Sequence, residues 1–569
     1  MPISAKKIVI VGGVAAGATA AARARRLDEN AEISIVERGP YVSFANCGLP
    51  YHISGAIEKR SKLLLQTPEG FLSRYKVQVL LKTEAISIDR AGKKIRVKDL
   101  SGASDPAERD IPYDALILAQ GGSPIVPPLR GVELPHVFKL WSIPDMDAIQ
   151  KRIKEHAPKN AVVVGGGFIG LESAEAFVER GLSTTIVELS DHLMPPMDAA
   201  YGRRIRERFE QAGARVLEKR AVTAIEEGRV ILDDGSSIPA DIVLLSVGVK
   251  PNTELAAAAG LEIGATRALV VDETLQTADP YIWAAGDMVE LVSKISGAKV
   301  RIPLAGPANR QGRIAATNLI SMLNREKGEA APPLMRYRGA AGTSVVKIFD
   351  DTAAMTGFSL AAAKRAGFDA AEATILKASH ASYYPGGEDL LLTLVYDRKD
   401  GALLGAQAYG KAGVEKRIDA AAVALQAKLS IADLAEMDFA YAPPYSSAND
   451  PLNMAAFVAL NAQSGYSPLE SASELAASLK EGAKLVLDVR TYGEYARGHL
   501  PSAVHIPVDE IRDRLEEIPQ TASIRIVSEG GFEGHIALRT LVQNGYEDVK
   551  NISGGWAALR LENNLNIQA

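Results

Sequence analysis

The sequence predicts an α/β protein of several domains, on three observations. A β-branched run, a glycine turn, a helical stretch, a second apolar run and a terminal acid occur in that order twice. Three further apolar runs each end in a glycine, and the last hundred residues alternate apolar runs with helical stretches as a unit of their own. At 569 residues the chain exceeds what one hydrophobic core supports, so three to five domains are expected.

Each element has a local reason. Lys7–Val11 is apolar and β-branched and reads as a strand. Glycines stop it, and residues 15–26, rich in alanine and arginine, favour a helix. Residues 33–36 form a second strand that ends at Glu37. The second copy places a strand at 161–164, a turn at Gly165-Gly166-Gly167-Phe168-Ile169-Gly170, a helix at 171–180, and a strand at 184–187 ending at Glu188. This grammar specifies two Rossmann-like nucleotide-binding domains and two different dinucleotides. The returning strands lie at 116–122, 242–248 and 281–287. Residues 335–460 read as a separate α/β domain, with strands at 344–349 and 390–396 and a helix at 420–428. Residues 461–468 read as a linker, and 469–569 as a final α/β domain.

In such a turn the first glycine allows the sharp bend, the second lets a pyrophosphate approach the backbone, and the third lets helix and strand pack. The helix N-terminus presents free N–H groups to the phosphates. Gly12, Gly13 and Gly17 carry the first motif, with Val14 where the second glycine belongs. Gly165, Gly167 and Gly170 complete the second. Glu37 and Glu188 are placed to accept hydrogen bonds from ribose hydroxyls. Leu189 and Ser190 follow Glu188 and supply no cation for a 2′-phosphate, which favours NADH while leaving NADPH possible. Asp287, after Gly286, is an acid at a strand end, suited to hydroxyls of a flavin side chain.

Composition narrows the function. A net charge of −5 gives no basic excess for nucleic acid. Lys6-Lys7 and the apolar run after them imitate a secretory signal, but Gly12, Gly13 and Gly17 interrupt that run and Arg23, Arg25 and Arg26 follow it. No run reaches the ~20 apolar residues of a membrane span, and no His, Asp and Glu set has metal-ligand spacing, so neither membrane nor metal is expected. The chain has one cysteine, Cys47, which fits a reducing, cytoplasmic location. It cannot close an intrachain disulfide. Any disulfide it forms is with another molecule, the substrate being the natural partner; the bland reading is an inert, buried thiol.

The segment Ser43-Phe44-Ala45-Asn46-Cys47-Gly48-Leu49-Pro50-Tyr51, with Gly286-Asp287, Tyr383-Tyr384-Pro385-Gly386 and Tyr441-Ala442-Pro443-Pro444-Tyr445, resembles the flavoprotein disulfide reductases. Within them it is similar to the single-cysteine coenzyme A disulfide and coenzyme A persulfide (polysulfide) reductases fused to a rhodanese-like domain. The resemblance implies a discontinuous FAD domain (1–122 and 249–334), an NAD(P)H domain (123–248) and a dimerisation domain (335–460) that makes a homodimer. It implies that Cys47 is the nucleophile, with Tyr383 and Tyr441 reaching it from the other subunit; Tyr384 and Tyr445 are rivals. It places Thr19, Arg23, Arg26, Ser43, Asn46, Asn309 and Asn449 at coenzyme A, Asn449 standing where a lysine is expected. For FAD it implies Gly12, Gly13, Gly17, Glu37, Arg38, Ala119, Gly121, Gly286, Asp287, Pro303 and Ala305. For NAD it implies Gly165, Gly167, Phe168, Ile169, Gly170, Glu188 and Gly248. For Arg23, Arg25 and Arg26 the alternative is a solvated helix face, and His52 and His380 read as structural.

The expected activity is NADH-dependent reduction of coenzyme A disulfide or persulfide. An NADH oxidase or peroxidase, or a redox-sensing or sulfur-carrier binding protein, are the alternatives. In residues 469–569, Asp488-Val489-Arg490, Gly498-His499-Leu500-Pro501 and Gly554-Gly555-Trp556 resemble the rhodanese-like domain. Ser528 stands at its nucleophile position, and Glu529 and Glu533 repel anions in the loop. The domain is therefore expected to be inactive, by natural loss or by an introduced serine.

Overall fold

The computed structural model describes residues 5–102, 107–479, 484–562 and 565–568. It divides into two compact units, Met1–Leu189 with Gly213–Ala340, and Ser190–Ala212 with Ala341–Ala569.

The first unit is built on two parallel five-stranded sheets. One runs in the order Ile282–Ala284, Ala115–Leu118, Lys7–Val11, Glu32–Val36, Val77–Leu80. The other runs Arg215–Leu217, Ser183–Val187, Asn160–Val164, Ile242–Leu245, Val137–Phe138. In both, the strand before the glycine turn is central, so its carboxyl end opens where the strand order reverses. That is where an open α/β sheet binds ligands. These central strands are apolar along their length because both faces are covered; Ile8 and Ile10 are fully buried. Burying each such side chain contributes about 1.5–3 kcal/mol. An antiparallel pair, Gly122–Pro124 with Val249–Pro251, lies where the chain leaves the first sheet and returns to it.

The second glycine-turn helix, expected at 171–180, spans Phe168–Glu179. It begins early because its third glycine lies inside the first turn. A Cβ on Gly170 would stand 1.9 Å from the Gly165 carbonyl oxygen.

The second unit holds an antiparallel sheet ordered Ser344–Ile348, Asp351–Gly357, Leu403–Gly410, Asp389–Asp397, Ala370–Ala378. It also holds a parallel sheet ordered Leu469–Glu470, Val549–Ile552, Ile524–Val527, Leu485–Asp488, Val504–His505. The helix expected at 420–428 spans Val414–Gln426; the charged residues Glu415-Lys416-Arg417 hid its first turn. Residues 461–468 are tied down. Helix Pro451–Gln463 runs into them, Arg539 donates to the Tyr466 carbonyl (2.6 Å), and the Pro468 carbonyl accepts from the Asn551 amide (3.0 Å). Ser190–Ala212 lies with this unit. Its Tyr201 hydroxyl reaches Thr393 Oγ1 (2.8 Å) and the Gln407 carbonyl (3.0 Å), and the Asp198 amide donates to Gln407 Oε1 (2.7 Å). Among the described residues no helix is long and apolar enough to cross a membrane.

Gly170→Ala forces the Phe168–Glu179 helix off its strand. Overpacking of this kind costs about 1–3 kcal/mol, so a lower Tm and weaker NADH binding are expected, measured by thermal denaturation and by titration of the purified protein.

Candidate active site

The first glycine turn is clamped by its own acid. Glu37, at the end of its strand, accepts from the Gly13 amide (2.8 Å) and the Gly39 amide (2.7 Å). Burial pushes its carboxyl up, against those hydrogen bonds. Gly12 has φ +98°, and a Cβ there would meet the Ala119 carbonyl oxygen at 2.2 Å. Gly17 packs equally tightly, its Cβ position 1.8 Å from the Gly12 carbonyl oxygen. Val14, in the second-glycine place, lines the same cavity as Gly13.

That cavity, about 350 Å³, is lined by Gly12, Gly13, Glu37, Arg38, Ala119, Gly121, Gly286 and Asp287, and by Asn46 next to the cysteine. Two acceptors in it have no hydrogen-bond donor among the described residues. Gln120 Oε1 is buried without a hydrogen bond. The half-buried Asp287 carboxyl is raised to about 6 by burial, and only the charge of Arg301 opposes this. Unpaired buried acceptors call for a donor-bearing ligand, and the hydroxyls of a dinucleotide and its polyol chain fit both. Pro303 and Ala305 do not line the cavity; they are exposed, Ala305 opening the helix Ala305–Glu326.

The second turn repeats the clamp. Glu188 Oε2 accepts from the Gly166 amide (2.6 Å). Gly165 has φ +108°, and a Cβ on Gly167 would meet nothing within 4 Å, so the turn is open to a ligand's approach. Phe168 and Ile169 are half-buried at the helix start, and Gly248 is exposed. Arg220, whose amide donates to the Glu188 carbonyl, carries a cation near this end, but Asp233 and Asp234 hold it in ion pairs at 3.6 and 2.9 Å.

Cys47 lies in a single 3₁₀ turn, Asn46–Gly48, ahead of helix Leu49–Ser54. The residue is exposed. Its Sγ stands 3.6 Å and its amide 3.0 Å from Asn46 Oδ1. Ser43, four residues earlier, adopts φ +47°, a left-handed conformation that costs a non-glycine residue free energy; its amide donates to the Gly13 carbonyl (2.8 Å), tying the cysteine loop to the first turn. Although the residue keeps a solvent-exposed face, the protein packed around the sulfur partly desolvates it and so raises the thiol's pKa, and the charges of Glu172 and Asp287 add to this. Glu172 is a residue that motif reading missed, although it directly follows Gly170-Leu171. Its carboxyl accepts from the Tyr51 hydroxyl (3.3 Å) and is raised to about 7, chiefly by burial.

Of the remaining expected residues, Thr19 bonds Asn309 directly (2.8 Å) and Arg23 donates to Thr317 Oγ1 (3.1 Å). Arg26, one turn beyond Arg23, is exposed. In the second unit the Tyr383 and Tyr441 hydroxyls bond each other at 2.8 Å, and both rings are exposed. Tyr384 instead packs edge-on against His380, with centroids 5.6 Å apart. Tyr445 and Tyr441 line one cavity, and Asn449 is exposed. Among the described residues no group of three His, Cys, Asp or Glu side chains is arranged to hold a metal.

Ser528 directly follows strand Ile524–Val527 and is fully buried. Its Oγ accepts from the Gly531 amide (2.9 Å), which consumes one N–H of the loop. The loop is also covered: a Cβ on Gly530 would stand 3.0 Å from Leu376 Cβ. Thr374 closes the joint, its carbonyl accepting from the Gly554 amide (2.9 Å) and its amide donating to Ser553 Oγ (2.9 Å). Glu529 faces Arg490 (3.6 Å), which Asp488 also holds (2.7 Å).

Residues 6–312 match the model of the pyridine nucleotide-disulphide oxidoreductase family, 343–451 its dimerisation domain, and 471–562 the rhodanese-like domain. The NAD(P)H sulfur oxidoreductase (CoA-dependent) of Pyrococcus abyssi is 35% identical over 450 residues, 79% of this chain and 96% of that protein. Reduced CoADR-RHD of Bacillus anthracis is 39% identical with a TM-score of 0.92, covering 98% of each chain. The NAD-dependent persulfide reductase of A. fulgidus is 35% identical with a TM-score of 0.89, covering 97% of this chain and 99% of that one.

Glu172→Gln removes a negative charge that opposes thiolate formation. Above pH ~7, where the native carboxyl is ionised, the variant's Cys47 is expected to form thiolate at lower pH than the native protein's. The pH dependence of iodoacetamide alkylation of the reduced protein measures this; an unchanged profile would refute the coupling.

Proposed function

We propose, for a chain that belongs to the pyridine nucleotide-disulphide oxidoreductase family, that it uses NADH to reduce coenzyme A disulfide or coenzyme A persulfide through Cys47. One observation carries this reading. The single thiol sits beside a cavity whose unpaired acceptors, Asp287 and Gln120, suit FAD, and next to a helix seam carrying Thr19, Asn309 and Arg23.

FAD bound there supplies the path for two electrons from NADH to sulfur. Glu37 holds the first turn with its remaining N–H groups free for the pyrophosphate, and Asp287 takes hydroxyl protons in hydrogen bonds. Glu188 does the same work at the second turn. The commitment of Arg220 to Asp233 and Asp234 supports NADH over NADPH.

The Cys47 thiolate attacks one sulfur of coenzyme A disulfide. A mixed disulfide forms and one coenzyme A thiolate leaves. Two electrons then cleave the mixed disulfide, regenerating the Cys47 thiolate and releasing the second thiol. The sum is one disulfide, one NADH and one proton giving two thiols and NAD⁺. With the persulfide the products are one thiol and hydrogen sulfide. Because the protein raises the thiol's pKa, thiolate formation needs help. The hydrogen-bonded hydroxyls of Tyr383 and Tyr441 of the partner subunit are suited to donate to the Cys47 thiolate in a homodimer and so to favour its formation. The work belongs in a reducing, cytoplasmic compartment, where Cys47 stays available.

Cys47→Ser is expected to abolish reduction of both substrates, while NADH still bleaches the bound flavin. Mass spectrometry of the native protein is expected to show a coenzyme A adduct on Cys47. Oxygen turnover exceeding that of coenzyme A disulfide would overturn the reading.

The C-terminal domain is read as a dock without sulfurtransferase chemistry. Ser528→Cys is expected to give no thiosulfate sulfurtransfer, since the position is buried and Leu376 covers the loop. An active variant would show that the loop opens and that the serine alone silences it.

A further inference from the structure

Cys47 and Tyr51 lie about one turn apart in a continuous helical run, the 3₁₀ turn Asn46–Gly48 leading directly into helix Leu49–Ser54. Side chains four apart share a helix face and lean toward its N-terminus, so the Tyr51 ring lies over the turn that holds the cysteine. The Tyr51 hydroxyl donates to Glu172 Oε1 at 3.3 Å. Glu172 stands in the second turn of Phe168–Glu179, the helix that opens at the second glycine turn. A thiol, a phenol and a half-buried carboxyl therefore follow one another within the first unit.

The charges around this row make separate ionisation of the sulfur costly. The carboxylates of Glu172 and Asp287 both oppose a thiolate, and Glu175, one turn beyond Glu172, adds its charge to Glu172 and to Tyr51. A thiolate formed beside an ionised Glu172 sets two like charges together in partly desolvated surroundings. A thiolate formed as Glu172 takes up the proton keeps a single charge in total. The Glu172 carboxyl, raised to about 7, takes and yields a proton near neutrality. The neighbours are otherwise engaged: His52 Nδ1 meets the Ile57 carbonyl at 2.6 Å, and Asp287 lines the cavity of the first glycine turn.

We propose that Glu172, through the Tyr51 hydroxyl, is the proton store of disulfide exchange at Cys47, taking the thiol's proton as the sulfur attacks and returning it to the thiol that leaves. As the Cys47 S–H bond breaks, its proton passes to the phenol oxygen and the phenol's own proton passes to Glu172. Burial and the charge of Glu172 keep Tyr51 protonated, so the two transfers are concerted and the phenol carries no charge. The Cys47 sulfur bonds one sulfur of the disulfide, the S–S bond breaks, and its electron pair stays on the departing sulfur. The transfers then run in reverse, a neutral thiol leaves, and Glu172 is a carboxylate again. This half of the cycle takes up no net proton and no electron from outside. Glu172 touches neither sulfur and acts through Tyr51. The inference rests on the reading of Cys47 as the nucleophile of a disulfide reductase.

The fate of the leaving thiol can be separated from the strength of the nucleophile. The aryl thiolate released from 5,5′-dithiobis(2-nitrobenzoate) is stable without a proton at neutral pH. An alkyl thiol, with a pKa of about 8.5 like that of cysteine, leaves better when protonated. Single-turnover exchange is measured on holoenzyme whose Cys47 has been freed with dithiothreitol, using the aryl reagent, 2-hydroxyethyl disulfide and coenzyme A disulfide. In Glu172→Gln the rate with both alkyl disulfides is expected to fall about a hundredfold, the contribution of a positioned acid–base group, while the aryl reagent reacts as fast as with native protein or faster. Tyr51→Phe should show the same split, and Glu172→Asp should recover part of it. The native rate with alkyl disulfides should rise through about pH 7 as Glu172 ionises, a limb that Glu172→Gln lacks. Equal losses on aryl and alkyl disulfides, as a merely structural role would give, or no loss in either variant, would overturn the proposal. If native protein exchanges with 2-hydroxyethyl disulfide and not with coenzyme A disulfide, the substrate reading fails on its own. The split between the aryl reagent and 2-hydroxyethyl disulfide then decides the proton store: its presence supports the proposal and its absence overturns it.

Discussion

A carboxylate that grips a glycine-turn amide sets the geometry on which both sheets of the first unit depend. Glu37 holds Gly13, and Glu188 holds Gly166, at 2.8 and 2.6 Å. In each case the acid closes the second strand and the amide opens the helix, so one hydrogen bond locks strand, turn and helix together. A charged acceptor makes that bond about twice as strong as a neutral one. The price is a buried carboxylate, which is why Glu37 sits above its ordinary range. With the turn fixed, the neighbouring amides point outward and the strand order places them at an open crevice.

The same unit sets an electrostatic problem at sulfur. Burial, Glu172 and Asp287 all work against ionisation of Cys47. Two of these causes belong to carboxyls that are themselves displaced upward, to about 7 and about 6. Near neutral pH these groups change charge easily, so the sulfur's reactivity is governed by neighbours that respond to the same proton concentration.

Much of this was legible in the sequence because it is local. Strand Lys7–Val11 coincides with its apolar run, since a central parallel strand is buried on both faces and carries no polar alternation; strand Ile524–Val527 stood out despite Arg525, which Glu470 pairs with at 2.6 Å inside the domain. The glycine turns were legible because backbone sterics admit few alternatives. What escaped was long-range. Gln120 and Glu172 have meaning only through a cavity and a partner 121 positions away, Tyr51. The pairing of Tyr383 with Tyr441, and not with Tyr384 or Tyr445, depends on a 58-residue separation. Helix Val414–Gln426 began early because the charged Glu415-Lys416-Arg417 masked the periodicity, the buried Arg417 having its meaning only through Asp450, 33 positions away. The attachment of Ser190–Ala212 to the second unit has no local signature at all.

The joint at Thr374 bears on the solubility of the whole chain. Strand Ala370–Ala378 is the outer strand of its antiparallel sheet, and its outward amide and carbonyl at Thr374 are both taken by Ser553 and Gly554. Open strand edges invite pairing with other chains and aggregation. The terminal domain therefore shields a sticky margin, whatever its own chemistry. Cutting the chain before residue 469 would leave that alanine-rich border open to pairing with its own copies, so this service to the fold is independent of any reaction the domain performs.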